Sequence, residues 1–174
     1  MTGPIDRQPM LTGGLVMLAP TLPGDHDALF AVASDPLIWD QHPAHDRWQT
    51  AVFRDFFDEG LAGGGMLTIR DAATGAVIGS SRYGPHDVAA DEIEIGWTYF
   101  ARSHWRRGHN RESKRLMIDH IVRHVPTVVF HIGADNARSR TAVAALGAVL
   151  RPGTIDIVRG GRPVPHVIYA LSRP

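Results

Sequence analysis

Glu92-Ile-Glu-Ile-Gly-Trp-Thr-Tyr-Phe-Ala-Arg-Ser-His-Trp-Arg-Arg-Gly-His-Asn-Arg-Glu-Ser-Lys114 is the stretch on which the reading of this chain turns. Its first part alternates apolar and polar residues, as a half-buried strand does. A short turn follows, then a glycine-centred basic loop, then the first turn of a helix. The first N–H groups of a helix have no intrahelical partner, and with the helix dipole they favour a phosphate. Glu92 and Glu94 lie one loop away on one face of the strand. A phosphate cradle beside a carboxylate points to group transfer from a phosphorylated cofactor.

The flanking sequence supplies the frame. Met1 to Met10 reads as a flexible tail, and residues 11–174 as a single domain. Leu15 to Ala19 predicts a strand, Gly24 to Val32 a helix, and Leu37 to Asp46 an irregular segment. Arg47 to Leu61 predicts a second helix with Trp48, Val52, Phe53, Phe56, Phe57 and Leu61 inward. Met66 to Arg70 and Ala76 to Tyr83 form a hairpin, and Gly84 to Ala90 a loop. Gly108 to His124 is the strongest helix, with Leu116, Met117, Ile118, Ile121, Val122 and Val125 on its apolar face. Arg111, Lys114, Arg115, Asp119 and Arg123 are placed mainly on the other. Thr127 to Ile132 is a nearly continuous apolar strand, suited to the centre of a covered sheet. Asn136 to Leu146 is a helix stopped by Gly147. Strands at 148–150, 154–158 and 164–171 close the chain. The order predicts an α/β fold on a mixed sheet.

Composition narrows the function. The chain has 174 residues, 44% apolar and 21% charged, enough for one domain with a real core. Eighteen basic residues balance eighteen acidic ones, which argues against generic nucleic-acid binding despite the local patch Arg102, Arg106, Arg107, Arg111, Lys114 and Arg115. With no cysteine there is no disulfide, thiolate metal site or cysteine nucleophile. No signal peptide and no run near ~20 apolar residues is seen, so a cytoplasmic protein without membrane association is expected.

Arg106-Arg107-Gly108-His109-Asn110 is neither a P-loop nor the dinucleotide fingerprint. Gly108 with Asn110, Glu112 and Lys114, preceded by Trp105, resembles the cofactor loop of the GNAT superfamily of acetyl-CoA-dependent N-acetyltransferases. The common family pattern is Arg/Gln-x-x-Gly-x-Gly/Ala; Trp105 and Asn110 stand at its ends here. Ile95-Gly96-Trp97, Asn136-Ala-Arg-Ser139 and Leu146-Gly147-Ala148 are similar to the ribosomal-protein N-terminal acetyltransferase branch.

That resemblance implies a single-domain fold with a mixed, mostly antiparallel central sheet, a splayed parallel pair at Glu92–Thr98 and Thr127–Gly133, and helices on both faces. It implies acetyl-CoA as cofactor. Trp97, Thr98 and Tyr99 would pair with its pantetheine arm, Trp105, Arg106, Arg107, Gly108, His109 and Asn110 would form the pyrophosphate cradle, and Asn136 and Ser139 would lie near the arm. Glu94, and with less reason Glu92, would take a proton from the acceptor amine. Many relatives carry a tyrosine acid where this chain has Val143, which leaves Ser139 or no protein acid. Trp39, His42, Arg82, Tyr83 and Glu92 are candidates for acceptor contact. The two glutamates suggest a cationic amine.

The expected activity is transfer of an acetyl group to a small-molecule or peptide amine by direct attack in a ternary complex. The alternative is an acyl-CoA-binding module with weak or no catalysis. Family habit suggests a homodimer through terminal strands or helices. His42 with His45, and His120 with His124, have spacings that a metal could use, but the acidic residue of a zinc helix is missing and no metal is expected.

Overall fold

The computed structural model describes residues 5–172. Nine strands form one sheet: β1 Leu11–Thr12, β2 Val16–Pro20, β3 Met66–Asp71, β4 Val77–Asp87, β5 Glu92–Phe100, β6 Thr127–Gly133, β7 Val149–Leu150, β8 Ile155–Arg159 and β9 Arg162–Ser172. Four α-helices accompany them: α1 His26–Ala33, α2 Thr50–Gly63, α3 His109–Ile121 and α4 Ala137–Ala144. The sheet order is β1-β2-β3-β4-β5-β6-β9-β7, with β8 paired to β9. Every pairing is antiparallel except β5 with β6. This is the expected α/β fold.

Alternation along the strands divides the core. Leu67 and Ile69 point with Ile93, Ile95 and Val128 toward Met117, Ile118 and Ile121 of α3. Met66 and Tyr99 join Leu29, Ala33, Phe53, Phe56 and Phe57 of α1 and α2. Each fully buried aromatic or aliphatic side chain contributes about 1.5–3 kcal/mol, so both helical layers are held mainly by burial.

Several boundaries differ from the sequence reading. The 84–90 loop is shorter, because β4 runs on to Asp87. Gly60 and Gly63 lie inside α2, and Gly64, at φ 65°, ends it in the left-handed conformation. Trp48 precedes α2 and is exposed, not inward. Lys114 lies on the buried face of α3. Ile5 packs on the core, Asp6 O accepts from His120 Nε2 at 2.8 Å, Arg7 Nη1 donates to Gly84 O at 3.2 Å, and Pro9 is buried. The described part of the expected flexible tail is therefore docked; residues 1–4 of it lie outside the described residues.

Glu112 ties two distant elements together. Its carboxylate accepts the backbone N–H groups of Gly14, Leu15 and Val16 at 3.1, 2.7 and 2.9 Å. This anchors the β1–β2 turn to the first turn of α3. Glu112→Gln should destabilise the fold by about 1–2 kcal/mol, since a neutral oxygen accepts more weakly and the amide NH2 meets donors. Urea denaturation measures it, and an unchanged midpoint would show that the three bonds contribute nothing.

Candidate active site

β5 and β6 pair only at Glu92↔Thr127, Ile93↔Val128 and Glu94↔Val129. Beyond Glu94 the two strands part. On its other side β5 carries a bulge: Ser80 faces Tyr99 and Arg82 faces Gly96, so three steps on β5 match two on β4. Trp97 sits in the bulge at φ 52°, a strained value for a non-glycine residue. Trp97 and Thr98 thus have no strand partner on either side.

A cavity of about 1000 Å³ opens along this gap. Its cradle end is formed by Trp105, Arg106, Gly108, Asn110 and Arg111. Arg106 (φ 59°) and Gly108 (φ 88°) both adopt left-handed backbone, which turns the loop onto the start of α3. No side chain caps that helix. The buried Asn110 Oδ1 has no hydrogen-bond partner among the described residues. Uncapped first-turn amides, two neighbouring arginines and an orphaned amide oxygen suit a pyrophosphate and a polar arm beside it.

Glu94 lines the cavity where the two strands part. Its carboxylate lies 3.3 Å from His131 Nδ1 on β6, and this contact raises the His131 pKa above its ordinary value. Lys114 Nζ, fully buried beneath the bulge, donates to Ser81 Oγ at 3.2 Å and to Thr98 Oγ1. Burial lowers its pKa to about 7, against the opposing pull of Glu94. Asn136 Oδ1 caps α4 by accepting from Ser139 N at 3.1 Å. Ser139 and Val143 both line the cavity, and the valine offers no proton.

The segment before α2 closes the wall. Arg138 donates to Asp40 Oδ1 at 3.1 Å and Ile38 O at 2.8 Å, and its guanidinium stacks on Trp105. These contacts hold Trp39 and His42 on the cavity, with Trp39 Nε1 donating to Ala33 O at 2.8 Å. Burial pushes the His42 pKa well below its usual value.

Not every expected residue reaches the cavity. Glu92 forms a two-point ion pair with Arg151 and is absent from the wall. Arg82 donates to Phe56 O at 3.1 Å and stacks on Phe56 and Trp97, supporting the wall from behind. Tyr83 is a core residue whose hydroxyl donates to Met117 O at 2.7 Å. The Arg107 side chain is exposed, and His109 turns to Asp71 Oδ2 at 3.2 Å. Asp71 also faces His104 at 3.6 Å, and its pKa falls to about 2, chiefly through the Thr74 backbone and hydroxyl. Among the described residues this trio has metal-ligand spacing; neither His42 with His45 nor His120 with His124 joins such a group. The sequence reading missed Arg47, Lys114, His131, Arg159 and His166 as cavity residues. Lys114 could have been found: it stands three, four and seven residues before the apolar Met117, Ile118 and Ile121.

Residues 16–149 match the family model described as an acetyltransferase (GNAT) domain. The chain belongs to the GNAT acetyltransferase family. Solved GNAT structures share its fold. The GCN5-related N-acetyltransferase of Brucella melitensis is 23% identical, with a TM-score of 0.79 over 97% of this chain and 80% of that one. A GNAT-family acetyltransferase of Bacillus anthracis is 13% identical, with a TM-score of 0.78 over 94% and 98%. Spermidine N-acetyltransferase of Vibrio cholerae, in complex with CoA and spermine, is 12% identical, with a TM-score of 0.70 over 92% and 96%. Comparison with curated protein sequences gives no match. Among the described residues no helix is long and apolar enough to cross a membrane.

Proposed function

We propose that this GNAT protein is an N-acetyltransferase that moves the acetyl group of acetyl-CoA to a primary amine. The observation that carries the reading is the gap between β5 and β6, with a phosphate-type cradle at one end and the Glu94–His131 pair at the other. The motifs around Trp97, Asn110 and Asn136 favour the ribosomal-protein N-terminal acetyltransferase branch.

Arg106, Arg111 and the first-turn amides of α3 hold the pyrophosphate. The unpartnered backbone of Trp97 and Thr98 pairs with the pantetheine arm, and Asn110 and Asn136 flank it. Bound acetyl-CoA supplies the acetyl group as an activated thioester. Glu94 takes the proton of the incoming ammonium, directly or through water. The neutral amine then bonds to the acetyl carbon as the carbon–sulfur bond breaks, and the new amide nitrogen sheds its extra proton to solvent. Backbone N–H groups of residues 96–98 stabilise charge on the carbonyl oxygen. The thiolate takes up a proton from solvent or Ser139, and a thiolate is a stable leaving group near neutral pH. Trp39 and His42 bound the acceptor side.

Calorimetry with acetyl-CoA, followed by thiol release with a panel of amines, tests the reading. Binding and amine-dependent thiol release are expected. A folded sample that does not bind acetyl-CoA would refute it.

A further inference from the structure

The cavity wall carries two carboxylates, Asp40 and Glu94. Both have cationic partners already: Arg138 for Asp40 and His131 for Glu94. Among the described residues four guanidinium groups on the same wall have none: Arg106 and Arg111 at the cradle, and Arg47 and Arg159 apart from it. Arg47 is only 7% exposed and sits against Trp39 and Phe56, at 5.6 and 4.4 Å from their ring centroids. Among the described residues no hydrogen bond or ion pair reaches it. Arg159, at the end of β8, has a buried Nε without a partner.

Asp46 and Glu59 lie close enough to pull on Arg47, yet among the described residues neither forms an ion pair with it. His42 is kept neutral by burial, and its Nδ1 accepts from Ala44 N at 2.9 Å. His166 Nδ1 donates to Val164 O at 2.8 Å, and burial lowers its pKa too. Burial, with the nearby Arg159 and Arg82, brings the Arg47 pKa down to about 9 against the weaker opposing pull of Asp46 and Glu59, so it still carries its charge at neutral pH. Desolvating a guanidinium without a paired, hydrogen-bonded counter-anion is expensive. Ring stacking returns only about 0.5–2 kcal/mol. The geometry of a planar fork matches a carboxylate at two points. The phosphate cradle, formed by Arg106 and Arg111, is a separate part of the wall.

We infer that Arg47 and Arg159 form a carboxylate subsite in the acceptor half of the cavity, so that the acceptor is an amine that also bears a carboxylate, such as an α-amino acid. This rests on the transferase reading above. It replaces the expectation of a plainly cationic amine, which leaned on Glu92 and Glu94 together; Arg151 neutralises Glu92 outside the cavity and His131 pairs with Glu94.

The test uses L-α-amino acids, their carboxamides and O-phosphoethanolamine as acceptors, with thiol release as the readout. The acids should exceed their amides by roughly thirty-fold in kcat/KM, the low end for breaking a buried charge pair. Arg47→Gln should remove that preference and leave acetyl-CoA affinity unchanged. Should that variant not fold, Arg159→Gln, on the half-exposed hairpin, makes the same comparison. Equal use of acid and amide, or use of the phosphate amine alone, would overturn the subsite. Titration of the acids into the CoA-saturated protein gives a readout that needs no turnover. Failure of every acid to bind there would also overturn it, whereas failure of the transferase reading shows separately as no acetyl-CoA binding.

Discussion

Glu94→Gln is expected to lower kcat by roughly 10²–10⁴-fold, the usual range for losing a positioned general base. Glutamine keeps the shape and a hydrogen-bond acceptor but cannot take a proton. Acetyl-CoA affinity should stay within about twofold, because the residue lies at the end of the cavity away from the cradle. The variant's residual rate should climb steeply with pH, as free amine replaces ammonium in solution. His131 gives an internal check. Its pKa is raised first by the hydrogen bond with Glu94. In the glutamine variant it should titrate at lower pH, visible by NMR. A variant that keeps more than a tenth of wild-type kcat would remove Glu94 from the mechanism.

Lys114→Met should stabilise the protein at pH 6.5, with a gain that shrinks as pH rises. Burial takes the lysine from its ordinary 10.5 to about 7. That corresponds to on the order of 5 kcal/mol of differential interaction between its charged and neutral forms. The sign follows from proton counting. Between pH 7 and 10.5 the unfolded chain binds the proton and the folded chain does not, so stability rises with pH there. The burden is full below about pH 7 and gone above 10.5. Methionine carries no charge, fills similar space against Phe130, and leaves Ser81 and Thr98 hydrogen-bonded to each other at 2.7 Å. The difference in unfolding free energy between the two proteins should therefore be several kcal/mol at pH 6.5 and fade toward pH 10. Buried Tyr83 and Tyr99, whose pKa values burial raises, titrate in both proteins and cancel. A constant difference across that range would mean that Lys114 is not a buried titrating group.

The pattern of apolar residues made most of the fold legible. The run at 127–132 announced a central strand, and the stripe through Met117 and Ile121 announced α3. Caps and exact ends are less legible: the expected helix over 47–61 starts three residues later and runs on to Gly63, where the left-handed Gly64 ends it. The parting of β5 from β6 came from family resemblance, not from periodicity. Physically it accompanies a positive φ at Trp97, which no rule about tryptophan would suggest. Glu92 and Glu94 look equivalent by alternation. What separates them is Arg151, a partner far along the chain that reaches only one. Arg47 and Arg159 come from a loop and a distant hairpin, so their meeting is a product of tertiary packing.

The last matched pair before the strands diverge is Glu94 with Val129. In mechanical terms it is a pivot, like the rivet of a pair of scissors. Any opening of the two strands about it would move atoms in proportion to their distance from that point. The cradle at residues 105–111, out at the blades, would take the swing, while the carboxylate at the rivet would stay nearly still. On the proposed mechanism, such opening would loosen the grip on a long ligand without disturbing the carboxylate that takes the proton.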